Sequence, residues 1–215
     1  MTFTLVIGNK NYSSWSLRAW LAMRQAGIVF EEVLVPLSQP DTRARLLTHS
    51  PSGLVPVLRH GDRVIWESLA ILEYLAEQGP GLWPEDPAAR SFARSISAEM
   101  HAGFAALRTH MPMNLRKALP GRGRGPGVSD DIERVTAIWR ECRDRFGTGG
   151  PFLFGRFTAA DAMYAPVATR LRTYGVALDP VSQAWANAAL AVAAFREWEE
   201  AARAEPWVIE EDEVA

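Results

Sequence analysis

The spacing of apolar residues changes character between Gly79 and Pro87, and that change commits the chain to a two-part architecture. Before it, short β-branched runs alternate with helical stretches. Phe3 to Ile7 reads as a buried strand stopped by Gly8. Asn11-Tyr12-Ser13-Ser14 supplies turn and cap chemistry ahead of a helix from Trp15 to Ala26, closed by Gly27. Phe30 to Val35 reads as a second strand ended by Pro36, and Asp41 to Thr48 holds a short helix. Val55 to Leu58 and Val64 to Trp66 flank a Gly-Asp turn and form a hairpin. Glu67 to Glu77 is helical again. The expected order is β-α-β-α-β-β-α.

Gly79 to Pro87 crowds glycines and prolines into a linker, after which only helical spacing remains. Asp86-Pro87 caps a first long helix carrying Phe92, Ile96, Met100, Phe104, Leu107 and Met111. A second helix runs from about Asp130 with Val135, Trp139 and Cys142 on its apolar face. A third starts at Thr158, and an alanine-rich fourth carries Trp185 through Phe195. The expected division is an α/β domain over 1–79, a linker over 80–87 and an all-helical domain over 88–215.

Composition closes off several function classes. Of 215 residues, 48% are hydrophobic and 22% charged, as in a folded globular chain, and a formal charge of −2 disfavours a nucleic-acid binder. No apolar run approaches the roughly 18 residues of a membrane span, and the N-terminus lacks a basic lead, so a cytoplasmic protein is expected. The single cysteine, Cys142, falls on an apolar helix face and reads as core. The four histidines lack metal-ligand spacing, so no metal is expected. The Arg/Gly-rich stretch 116–127 reads as a mobile, solvated loop rather than an anion-binding patch.

Three features of the first domain converge on a ligand site. Ser13 and Ser14 lie between the first strand and its helix, where α/β sheets form their crevice. Val55-Pro56 opens the third strand, and Glu67-Ser68 opens a helix whose free N–H groups suit a carboxylate. Each alone is an ordinary cap or strand start; the combination is not.

These pieces carry a resemblance to cytosolic-type glutathione transferases, of the bacterial, serine type with a zeta-like N-terminal motif. Asn11 to Arg18 resembles the zeta stretch S-S-x-S-W-R-V-R, and Ser50 to Leu58 resembles N-P-x-G-x-V-P. Trp66 to Leu75 resembles E/Q-S-x-A-I-x-x-Y-L, while Thr158 to Asp161 resembles the family's capping box, with Pro166 at zeta-like spacing. The resemblance implies a thioredoxin-like first domain binding glutathione as co-substrate, an all-α second domain, and a homodimer. It implies a cis proline after Val55, with Leu54, Val55 and Pro56 along the peptide, and Glu67 and Ser68 on its γ-glutamyl end. A hydroxyl from the first loop would donate to the thiolate. A hydrogen bond to a charged group contributes roughly 1.5–3 kcal/mol, enough to lower a thiol's pKa by about one to two units without a metal.

In the zeta register the family's first serine falls on Asn11 and its cysteine on Ser13. Ser13 is the first choice for the catalytic group and Ser14 the second, with Asn11 and Tyr12 as further options. The partner is then a small hydrophobic electrophile, met by Met100, Phe104 and Arg108 on the first long helix. Two other functions stay open: an isomerase of the maleylacetoacetate type, with Arg170 or Arg172 holding a substrate carboxylate, and a non-catalytic binding module. The plainer reading of both arginines is a solvated helix face.

Overall fold

A computed structural model describes residues 2–79 and 81–214; Pro80, inside the expected linker, lies outside the described residues. The first part runs β1 (Phe3–Ile7), α1 (Ser14–Gln25), β2 (Phe30–Leu34), α2 (Thr42–Leu47), β3 (Val57–His60), β4 (Arg63–Trp66) and α3 (Ser68–Gln78). Its sheet has the order β2-β1-β3-β4, with β1 parallel to β2 and antiparallel to β3. β1 is central, so Leu5, Val6 and Ile7 are fully buried, while the crossover helix α1 packs against α3.

The second part is helical throughout: α4 (Pro87–Ala102), α5 (Ala105–His110), α6 (Val128–Phe146), α7 (Ala159–Thr173), α8 (Pro180–Ala191) and α9 (Ala193–Ala204). Two expected helices are split. The first long helix breaks at Gly103 and Phe104, because Phe104 adopts φ 59° and ψ 42°, a left-handed conformation no continuous helix contains. The fourth breaks at Val192, which is extended at φ −64° and ψ 144°. Among the described residues no helix is long and apolar enough to cross a membrane.

The two parts share one core. α1 and α4 both pack on α7, whose small alanines let neighbours approach closely. At the start of α7, Thr158 and Asp161 form the expected capping box. Asp161 does more than cap: it also accepts from the Leu153 N–H at 2.9 Å and the Trp185 Nε1–H at 2.8 Å. Cys142 is fully buried and its thiol is pushed up to about 12, mainly by burial, so it is inert core.

The Arg/Gly-rich stretch is largely exposed, as the solvated reading expects, and hydrogen bonds tie it to the helical part. Leu119 and Gly121 donate to the Thr173 and Tyr174 carbonyls at the end of α7. Gly123, at φ +70°, lies so close to the His110 carbonyl that a Cβ there would sit 2.6 Å from it. Arg116 reaches inward to the Glu205 and Trp207 carbonyls at 2.7 and 2.8 Å.

Candidate functional site

Two adjoining cavities lie where the loops of the sheet meet the helical part, and Trp15, Leu54 and Val55 line both. The smaller, about 230 Å³, is bounded by Ser52, Pro56 and Glu67. The Val55-Pro56 bond is cis, as the motif implies. Glu67 precedes α3 in a left-handed conformation, φ 68°, and its half-exposed carboxylate lies 3.5 Å from His101 Nε2. Ser68, the first residue of α3, is fully buried behind this wall, with its Oγ unpartnered. The His101 ring also meets the edge of Trp15, and burial depresses its pKa below the usual histidine value, against the pull of Glu67.

The larger cavity, about 460 Å³, receives the serine loop, α5, α7 and the segment after α9. Here the four candidate groups for the sulfur separate by geometry. Asn11 is fully buried and stitches the two parts together: its Oδ1 accepts from the Leu115 and Arg116 N–H groups, and its Nδ2 donates to Asn114. That amide is turned away from the cavity. Tyr12 lines the wall, but its hydroxyl donates to Glu213 at 2.6 Å and accepts from Arg116 at 2.7 Å. Burial and the Glu213 bond raise its pKa, the wrong direction for an activated phenol.

Ser13 caps α1. Its Oγ accepts from the Ser16 N–H and donates to Ser16 Oγ at 2.8 Å, and Ser16 Oγ in turn accepts from the Gly8 N–H. Its proton is thereby engaged in joining β1 to α1. Ser14, the first helical residue, is different. Its Oγ accepts from Arg170 Nη2 at 3.1 Å. Arginine can only donate, so the Ser14 proton is left for an acceptor in the cavity. This places Ser14, the second choice from sequence, where a hydroxyl donor is available.

Of the residues expected along the electrophile, only Arg108 reaches the wall. Met100 and Phe104 are buried in the core, because the break after α4 keeps that face on α7 while α5 restarts and presents Arg108. Arg170 overturns the solvated-face reading: it is 6% exposed and lines the cavity. Arg172 fits that reading, exposed and paired with Glu199. Asp212 and Ile209, after α9, complete the wall and were not anticipated. The acidic run Glu210 to Glu213, opposite in charge to the basic 116–124 stretch, was the available signal. Among the described residues, no group of three or more His, Cys, Asp or Glu is placed to hold a metal ion.

Comparison with known proteins decides the family. Residues 12–78 match the family described as Glutathione S-transferase, N-terminal domain, and residues 93–207 match Glutathione S-transferase, C-terminal domain. The chain is a member of the glutathione S-transferase family. Among its relatives is Glutathione S-transferase L1 of Arabidopsis thaliana, 26% identical over 160 residues, 73% of this chain and 62% of that one. Maleylacetoacetate isomerase of Rhizobium meliloti (strain 1021) is 32% identical over 177 residues, 77% of this chain and 81% of that one. The chain thus spans about three fifths of the first relative's length. A crystal structure of a glutathione transferase homolog from Burkholderia GL BGR1, with bound glutathione, superposes with a TM-score of 0.72 at 22% identity. It covers 94% of this chain and 99% of that one. This is the glutathione S-transferase fold: an α/β thioredoxin-like part followed by an all-α part.

Proposed function

We propose that this chain is a glutathione transferase that ionises the glutathione thiol for attack on a small apolar electrophile. The observation that carries the reading is Ser14, a hydroxyl with a free proton at the start of α1, on the cavity that adjoins the cis Val55-Pro56 wall. The tripeptide lies with its ammonium on Glu67 and its γ-glutamyl carboxylate toward the free N–H groups at the start of α3; the Ser68 hydroxyl, expected to share that carboxylate, is buried behind the wall and lines neither cavity. Its cysteinyl main chain runs along Leu54, Val55 and Pro56, which brings the sulfur to Ser14 Oγ. The positive end of α1, with no acidic residue in its first turn, adds to the preference for a thiolate. Ser14 donates to the sulfur; it does not remove the proton, because an alkoxide is inaccessible near neutral pH. In this reading the protein has domains over 1–79 and 88–215 joined by 80–87, and acts as a cytoplasmic homodimer.

A second reading is favoured by one observation. Arg108 and Arg170 stand on the larger cavity's wall, where a glutathione-dependent isomerase of the maleylacetoacetate type would hold a substrate carboxylate.

Glutathione titration by calorimetry and turnover with a chlorodinitrobenzene-type electrophile test the proposal. Ser14→Ala is expected to lower kcat by about ten- to a hundredfold, the worth of one hydrogen bond to a charged group, while the Kd for glutathione changes little. Full turnover and unchanged thiolate absorbance in that variant overturn the assignment of Ser14. Binding without turnover across a substrate panel, dicarboxylates included, makes the protein a non-catalytic module.

A further inference from the structure

Three arginines gather around Trp15 and Ser14, and the carboxylates that act on them are Asp131 on Arg108 and Asp212 on Arg170. Arg18 is 2% exposed, stacks on the Trp15 ring at 4.1 Å, and has Nε and Nη1 unpartnered. Arg108 approaches the same ring at 4.9 Å; its Nη2 serves the Met100, His101 and Gly103 carbonyls, and its Nε has no partner. Arg170 donates through Nη1 to the Met111 carbonyl at 2.5 Å and through Nη2 to Ser14. None of the three takes part in an ion pair among the described residues. Asp212 faces Arg170 from the same cavity without touching it.

Arg18 and Arg170 are buried and Arg108 partly so; cations held there without a direct ion pair are costly, and clustering like charges makes them more so. The arrangement persists because the rest of the core over-determines it: α1 and α7 pack on each other along their lengths. Burial and the neighbouring Arg108 push Arg170 down to about 10, which still leaves it protonated at neutral pH. What the cluster lacks is a negative charge at Ser14.

We propose that Arg170 is a positioning residue for thiol activation: its Nη2–H holds Ser14 Oγ as an acceptor, so that the serine proton is directed at the glutathione sulfur. With Arg18 and Arg108 it makes the position one that an anion neutralises. The inference rests on the reading that glutathione binds with its sulfur at Ser14. On ionisation the thiol proton passes to solvent, and the charge left on sulfur meets the excess positive charge of the cluster. The assignment explains why a long, buried cation crosses from the second domain to meet a serine of the first.

The test is the ultraviolet thiolate absorbance of bound glutathione, titrated against pH in the parent protein, Arg170→Gln and Arg170→Lys. In Arg170→Gln the apparent pKa of the bound thiol is expected to rise by about one unit. Its kcat at neutral pH falls by about tenfold and recovers as pH is raised. Arg170→Lys keeps the charge but loses the planar fork, and is expected to fall between the two. If Arg170→Gln does not fold, the Lys variant combined with Ser14→Ala decides. A residue acting through Ser14 gives a double variant no worse than Ser14→Ala alone, whereas additive losses overturn the proposal. A thiol that titrates alike in all three proteins, with glutathione bound in each, also overturns it and leaves the transferase reading standing. Failure of the parent protein to bind glutathione at millimolar concentration overturns both.

Discussion

The two cavities that share Trp15 are built by opposite means. The smaller is made of chain neighbours: Ser52 to Pro56 form one wall, and Glu67 stands at the end of the hairpin that Pro56 begins. The larger is assembled from Ser14, Arg108, Arg170 and Asp212, which belong to four segments and meet only in the folded chain. The first is fixed by backbone geometry and suits a ligand gripped by its main chain. The second is fixed by side-chain convergence, so its lining can change by substitution while the backbone wall of the first stays.

Substitutions that touch one cavity should leave the other unmoved. The largest effect is expected for Glu67→Ala: KM for glutathione rises about ten- to a hundredfold, from loss of a charged hydrogen bond, with kcat and electrophile KM retained. A parallel loss in kcat would merge the two sites into one.

Acidification should act on the same side, more weakly. Below the depressed pKa of His101 an imidazolium forms 3.5 Å from Glu67 and competes with the glutathione ammonium; Arg18 and Arg108 oppose that charge. Glutathione KM is expected to rise about fivefold as pH falls through the lowered range in which His101 takes up its proton, and to stay flatter in His101→Gln. The sign for stability follows: the unfolded chain takes up this proton first, so folding stability tied to neutral His101 is lost as pH falls below about 6.5. A pH profile shared by the parent and His101→Gln would remove His101 from the grip.

On the other side, Asp212→Asn removes the carboxylate that faces Arg170. About a threefold lower KM for carboxylate-bearing electrophiles is expected, with glutathione Kd unchanged, as steady-state kinetics and calorimetry would show. The smallest effect on chemistry belongs to Ser13→Ala. Losing this cap is expected to lower stability by about 1 kcal/mol in denaturant unfolding, with turnover within about twofold of the parent. A large loss of turnover there would return the sulfur to Ser13.

The same division governs what could be read from the amino-acid order. The strand and helix order up to Gln78 was legible because period-two and helical patterns are local, and cis Val55-Pro56 with Glu67-Ser68 came with its motif. The break at Phe104 was hidden because Met100, Phe104 and Leu107 keep helical spacing across it: α4 and α5 face one core. Arg170 looked like solvated surface since a helix's buried face can be known only from what packs on it, and α7 is enclosed on nearly every side. Composition alone showed the 116–127 stretch as solvated; its anchors, the Thr173 and Tyr174 carbonyls at the end of α7, are invisible in composition.

The wall that follows α9 has a consequence in time. Glu205 accepts from the Lys10 and Asn11 N–H groups across 195 and 194 positions of chain, and Glu213 holds Tyr12 across 201. Synthesis proceeds from the N-terminus, so the sheet and its helices emerge long before those carboxylates exist. The loop bearing the serines therefore gains these anchors only once residues 205 to 213 have been made, so in a growing chain the wall formed by the sheet and its loops precedes the completed larger cavity.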